Sequence, residues 1–272
     1  MYYLLKQFLP PILKSLKNYS FKYGWKGNYK SFEAAQKYCK GYDEDHILKK
    51  ISLTTTKVKT GEIAYERDGV MYDEMQINTN VLSKLLQISA ENDNKLTLVD
   101  FGGSLGTSFY QNIPFLKHLK ELNWCIIEQE HYVREGKSLF ENEQLKFYHS
   151  IDECMKDHSD VNLLMISNTL QYIKSPYTLL RELQVLKIPY LLMDYVGYNN
   201  RNKDRLTIQY VPPFFYGIDA SYPCMFFNRS KLEDQLGKNY KKVSEFISDS
   251  DTYYLGLLPF KYEGSFWKLR ES

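Results

Sequence analysis

Among the 272 residues, the run Leu98-Val99-Asp100-Phe101-Gly102-Gly103-Ser104-Leu105-Gly106-Thr107 has the types and spacing that hold a small molecule. Glycines let a backbone approach a ligand closely, and a helix that follows presents unpaired N–H groups at its start. A dinucleotide fingerprint wants G-x-G-x-x-G, but placing Gly103 and Gly106 on its last two glycines leaves Phe101 at the first, so that match fails. Glu128, followed by Gln129, ends the next apolar run, where a carboxylate can accept both hydroxyls of an adenosine ribose. Asp152 follows the third run and can receive an adenine amino group. Ser167, Asn168 and Gln171 follow the fourth, small polar side chains at the same point of the alternation. Asp194 closes the fifth run and is the best-placed candidate base for a hydroxyl proton, because the carboxyl ends of parallel strands face the ligand crevice. Gln209 and Tyr222, near prolines, are candidates to orient an acceptor, and Trp25, Tyr29 and Tyr42 to form a lid or sugar platform.

These residues need elements to hold them. The pattern predicts a helix over 73–90, with Val81, Leu82, Leu85, Leu86 and Ile88 mostly on one face, then short apolar strands alternating with helices. Strands are expected at 96–101, 124–128, 146–149, 162–167 and 189–194, and helices at 108–119, 131–140 and 176–186. Short apolar strands separated by helices imply an α/β fold with a mostly parallel sheet covered on both faces. The strands at 242–248 and 265–270 are separated too briefly for a crossover helix and are expected as an antiparallel pair. A loop-rich insertion is expected at 197–227, then a helix capped by Asn228 with Ser230 and Glu233 at capping-box spacing. The division expected is a helical extension over 1–72, with a helix from Ser31 stopped by Gly41, and a catalytic domain over 73–272.

With 43% apolar and 25% charged residues, the chain can bury a core, which excludes disordered and fibrous classes. Its formal charge of +2 is too balanced for a nucleic-acid binder. The 24 tyrosines suit sugar stacking and ordinary packing alike. Cys39, Cys125, Cys154 and Cys224 lie far apart, and the histidines lack ligand-like spacing, so neither disulfides nor a metal are expected and a reducing cytoplasm is the natural compartment. The amphipathic segment Leu4 to Leu16 is a candidate for peripheral membrane or assembly-complex contact.

The spacing Asp100, Gly102, Gly106 is similar to the first motif of class I S-adenosylmethionine (SAM)-dependent methyltransferases, with Ser104 where glycine is common. Across most of its length the chain resembles a methyltransferase family of bacterial surface-polysaccharide gene clusters. The resemblance is carried by Trp25-Lys26-Gly27-Asn28-Tyr29, Gly41-Tyr42-Asp43, Glu66-Arg67-Asp68-Gly69, the glycine run, Glu128-Gln129, Leu170-Gln171-Tyr172-Ile173, Leu206 to Pro213 and Ser221-Tyr222-Pro223-Cys224. It implies a Rossmann-like methyltransferase sheet, SAM as donor and a hydroxyl of a nucleotide sugar or oligosaccharide as acceptor. Two segments depart from the family pattern, Tyr195-Val196 where Arg-Thr is usual and Met225 where an aromatic is usual, and both fall near the expected acceptor. The alternatives are an NAD(P)-dependent sugar oxidoreductase, although no Tyr-x-x-x-Lys pair follows the strands, and a non-catalytic SAM-binding scaffold of an assembly complex.

Overall fold

A computed structural model describes residues 22–39 and 44–271; the segment Leu4 to Leu16, Gly41 and Tyr42 lie outside the described residues. In chain order come strand β1 (Gly24–Tyr29), helices α1 (Phe32–Gln36) and α2 (Glu44–Thr60), strands β2 (Tyr65–Arg67) and β3 (Val70–Tyr72), and helix α3 (Thr79–Glu91). The alternation follows as β4 (Lys95–Phe101), α4 (Thr107–Leu116), β5 (Glu121–Ile127), α5 (Glu130–Leu139), β6 (Leu145–Tyr148), α6 (Ile151–Asp157) and β7 (Leu163–Ser167). A short 3-10 turn (Leu170–Tyr172) leads to α7 (Pro176–Val185) and β8 (Tyr190–Val196). The chain continues through β9 (Tyr198–Asn199), β10 (Arg205–Val211), α8 (Pro213–Tyr216), β11 (Ala220–Asn228), α9 (Arg229–Leu236), β12 (Tyr240–Ile247), β13 (Tyr253–Leu255), β14 (Leu258–Phe260) and β15 (Glu263–Leu269).

Among the described residues the main sheet has seven strands in the order β6-β5-β4-β7-β8-β15-β12. Strands β4 to β8 pair in parallel, and β15 runs antiparallel to both β8 and β12. A six-stranded dinucleotide fold runs 3-2-1-4-5-6. Here the last strand of the chain is inserted, antiparallel, between the fifth and sixth, which is the Rossmann-like class I methyltransferase sheet expected from the sequence. Its parallel strands are mostly buried and apolar because both faces are covered, whereas β12 alternates buried with exposed residues. Leu96, Leu98, Trp124, Ile126, Leu163, Met165 and Leu192 join a core on one face. Val99, Cys125, Ile127, Leu164, Ile166, Leu191 and Met193 join another on the opposite face.

Two expectations change. The N-terminal part carries the long helix α2, but also β1 and the β2–β3 hairpin. Ile47, Leu48 and Ile51 of α2 pack into the same core as the main sheet. The segment expected as a loop-rich insertion is mostly strand, since β10 and β11 pair along Arg205–Val211 and Ala220–Phe226, and β1 adds to the outer side of β10. The prolines that suggested loops sit where a missing N–H is tolerated: Pro213 opens the short helix α8, and at Pro223, among the described residues, β11 pairs with β10 alone. Local punctuation concealed a sheet whose strands lie far apart in sequence.

Smaller differences concern boundaries. Helix α3 begins at Thr79 rather than 73, because the Asn78 side chain accepts the Val81 N–H and caps it there. Ser31 caps α1, which ends at Gln36. Asn228 caps α9 by accepting from Lys231, and Glu233 pairs with Arg229 and Lys242 instead of completing a box with Ser230.

Candidate functional site

The carboxyl ends of β4, β5, β7 and β8 bring most of the sequence-predicted residues to one edge. After β4 the chain turns through Gly102 at φ 76°, Ser104 at φ 54° and Gly106 at φ 100°, a left-handed series that glycine adopts freely and serine only with strain. Gly106 precedes α4 with no side chain capping the helix start, leaving its first N–H groups available to a ligand. At Gly103 a Cβ would come within 2.6 Å of the Asp100 carboxyl, so the loop can lie this close only as glycine.

Asp100 was expected to touch the cofactor; the structure places it beneath the loop. It is 1% exposed, beneath Gly103, and its Oδ2 accepts from Trp124 Nε1 at 3.0 Å. Burial pushes its carboxyl up to about 7 despite the Trp124 bond, so it props the loop from below.

Glu128 meets the loop directly. Its Oε1 accepts the Ser104 N–H at 3.2 Å and its Oε2 the Gln129 N–H at 2.8 Å. Burial raises its pKa, and the two backbone donors and His131 pull it back. Gln129 sits exposed at the start of α5, and Asp152 sits exposed in the first turn of α6, which Ser150 caps through the Glu153 N–H.

Past β7 the residues interlock. Thr169 Oγ1 donates to Gly102 O at 3.3 Å and Ser167 O at 2.9 Å, tying this segment to the glycine loop. Asn168 adopts φ 51°, its N–H bonds Asp194 O, and its Oδ1 accepts from Gln171 Nε2 at 2.8 Å. Gln171 is 1% exposed and also donates to Tyr195 O. Asp194 is 2% exposed; its Oδ2 accepts from Ser167 Oγ at 3.1 Å and from Asn78 Nδ2 at 3.0 Å. Burial raises its pKa, opposed by Ser248, Ser167, the Tyr195 N–H and the charge of Arg67.

Gln209 and Tyr222 are Cα partners across β10 and β11. Both reach Tyr172 of the 3-10 turn: its hydroxyl donates to Gln209 Oε1 at 2.9 Å, and its ring stands edge-on to Tyr222 at 5.1 Å. The second sheet therefore leans on the segment after β7. Trp25 is not an open platform, because Phe226, Tyr253, Phe260 and Tyr262 surround its ring at 5.3 to 6.2 Å. Tyr29 packs against Tyr38.

Four buried polar atoms along this edge lack a hydrogen-bond partner: Ser104 Oγ, His131 Nε2, Gln171 Oε1 and Asp194 Oδ1. Such atoms are uncommon in folded proteins, and each costs about 1–3 kcal/mol when left unmet. These four lie on the segments that follow β4, β5 and β7 and at the end of β8; five others lie elsewhere among the described residues. Among the described residues no three His, Cys, Asp or Glu side chains gather in a metal-holding group, and no helix is long and apolar enough to cross a membrane.

Sequence reasoning missed Asn78 and the β2–β3 hairpin, and named Glu66 only within the family resemblance, without a role. Asp68-Gly69, at φ 52° and 75°, joins β2 to β3, and an Asp-Gly pair between Tyr65-Glu66-Arg67 and Val70-Met71-Tyr72 is a strong hairpin signal. Glu66 is 1% exposed and accepts from Thr107 Oγ1 at the start of α4, from Thr54 Oγ1 at 3.4 Å and from the Gly69 N–H at 3.2 Å. It anchors the N-terminal part to the helix behind the glycine loop.

The sheet order and this loop define a class I methyltransferase fold. No protein-family model and no curated protein matches the chain. Among solved structures it is similar to a SAM-dependent methyltransferase from Clostridium acetobutylicum, at 11% identity and TM-score 0.48 over 71% of this chain and 92% of that one. It is also similar to magnesium protoporphyrin IX methyltransferase from Synechocystis with bound S-adenosylhomocysteine (SAH), at 10% identity and TM-score 0.46 over 71% and 83%. A third is 1,6-didemethyltoxoflavin-N1-methyltransferase from Burkholderia thailandensis, at 10% identity and TM-score 0.45 over 84% and 90%. At such identities the likeness concerns the fold alone, and the strand order above carries the assignment.

Proposed function

We propose that this chain is a SAM-dependent O-methyltransferase acting in the cytoplasm on a sugar hydroxyl of a nucleotide-sugar or oligosaccharide precursor of surface polysaccharide. The observation that carries the donor is a glycine loop faced by the Glu128 carboxylate, whose Oε1 accepts the Ser104 N–H, with unmet Ser104, Gln171 and Asp194 atoms along the same sheet edge. Those residues fit an adenosyl amino acid. Glu128 accepts the ribose hydroxyls, Gly102 to Gly106 allow close approach of the methionine portion, and Asn168 and Gln171 offer it polar groups. When bound, SAM supplies an electrophilic methyl group on a sulfonium.

The protein's own work is alignment and proton removal. Asp194 Oδ2 is fixed by Asn78 and Ser167, which leaves Oδ1 to take the acceptor's proton. Its raised pKa makes it a better base than an exposed aspartate. Tyr222 and Gln209, steadied by Tyr172, are positioned to orient the acceptor. The sugar acceptor is supported by the sequence resemblance and by these aromatic and amide groups, and the segment Leu4 to Leu16 is the candidate contact with a membrane or assembly complex.

The order of the sheet disfavours a nicotinamide enzyme, since β15 interrupts the all-parallel arrangement of that fold. Calorimetry with SAH, followed by a screen of sugar nucleotides with isotope-labelled SAM read by mass spectrometry, tests the proposal. We expect SAH binding and one labelled sugar product. Binding of a nicotinamide dinucleotide in place of SAH would refute it, and SAH binding without turnover on any sugar would leave a scaffold.

A further inference from the structure

Arg67 is held beside the acceptor crevice with most of its hydrogen-bonding capacity unspent. Glu66, the preceding residue of β2, is locked inward by Thr107, Thr54 and the Gly69 N–H. Strand alternation therefore sends Arg67 to the opposite face. There its Cζ lies 4.0 Å from the centre of the Tyr195 ring, and its Nη1 donates to the Tyr195 hydroxyl at 2.6 Å. Tyr195 immediately follows Asp194 and adopts φ 53°, a strained geometry for a bulky residue that persists only when its surroundings enforce it.

The guanidinium has five N–H donors, and among the described residues this is its one hydrogen bond. Its nearest carboxylate, Asp68, approaches Nε only to 3.9 Å, beyond hydrogen-bonding reach, and is itself partly exposed. Asp68 thus balances charge without occupying the fork. The Arg67 side chain is 32% exposed, so a ligand can reach it. Stacking on a tyrosine fixes the plane of a guanidinium and preserves its planar donors for a two-oxygen partner.

We propose that Arg67 is the anion anchor of the acceptor site: the acceptor carries an oxyanion, taken by the free edge of the guanidinium, that brings a neighbouring hydroxyl to Asp194. This deepens the methyl-transfer assignment above and rests on it. In an activated sugar the oxyanion has two sources, the carboxylate of a uronic acid or the phosphates of the nucleotide.

Titrating the SAH-saturated protein with glucuronate, and separately with inorganic pyrophosphate, distinguishes those sources. Wild type should bind at least one of the two. Arg67→Met should weaken that binding roughly 10- to 100-fold, the loss expected for charge-assisted hydrogen bonds. Arg67→Lys should fall between, since it keeps the charge but loses the planar fork. An unchanged melting temperature checks that each variant is folded. Wild type that binds SAH but neither anion, or Arg67→Met that binds the anion as tightly as wild type, would overturn the anchor alone. Wild type that binds no SAH would overturn the donor assignment and the anchor with it.

Discussion

Between β4 and α6 the edge of the main sheet is assembled from neighbours in the chain. Gly102 to Gly106 follow β4, Glu128 ends the next strand, Asp152 follows the third, and the Glu128–Ser104 bond spans 24 residues. Between β7 and β8 the same edge is assembled from distant parts. Asp194 is held by Asn78 across 116 residues, Tyr195 by Arg67 across 128, and Tyr172 by Gln209 across 37. The first half is a local device that a strand, a turn and a helix create wherever they occur. The second exists only when the N-terminal part and the second sheet are docked. A donor site of the first kind can stay fixed while an acceptor site of the second kind is rebuilt.

The comparison breaks if damage to one half spreads fully to the other. Asp194→Asn should show the largest separation: turnover is expected to fall about 10²- to 10⁴-fold, with SAH affinity kept, as measured by labelled methyl transfer and calorimetry. Full activity in that variant would remove Asp194 from the chemistry. Glu128→Ala should do the reverse, weakening SAH roughly 10- to 100-fold. Unchanged SAH affinity there would refute the ribose role.

The pH dependence of stability sharpens the comparison, because two strongly shifted carboxyls support the glycine-loop half. Asp100 under the glycine loop and Glu66 behind α4 are both pushed up to about 7 by burial, from ordinary values of 3.8 and 4.5. Both folded values exceed the unfolded ones, so the folded state binds more protons in that interval. Stability should be greatest near pH 4 on this account and fall as pH rises through about 7, by an amount on the order of a few kcal/mol. Asp100→Asn and Glu66→Gln should each flatten this slope in a thermal-melting series, and a slope unchanged in both would refute the attribution. The smallest effect is expected for Tyr172→Phe, which removes the bond to Gln209 and should cost about 1 kcal/mol of stability while raising acceptor KM more than SAH Kd.

Legibility in the sequence divides along the same line. The glycine run, Glu128 and the alternating apolar strands were plain, since each signal lies within a few residues of its consequence. Asp100 was found, but spacing does not show that Gly103 roofs its carboxylate. The second sheet was hidden by Pro212, Pro213 and Pro223, and β1 was absorbed into a supposed helical extension. Asn78 was overlooked although its place before Thr79-Asn80-Val81 is a capping signal, and Asp68-Gly69 although it is a hairpin signal.

By itself, then, the sequence determined the alternation of strand and helix, the glycine loop at the end of β4, and the acid at the end of β5. Hydrophobic period and turn chemistry are local properties, readable along the chain. Only the tertiary structure decided what surrounds Asp194, which face Arg67 takes and what Gln209 and Tyr222 meet. Those contacts join segments whose pairing is chosen by burial and close packing in three dimensions, and no spacing along the chain encodes it.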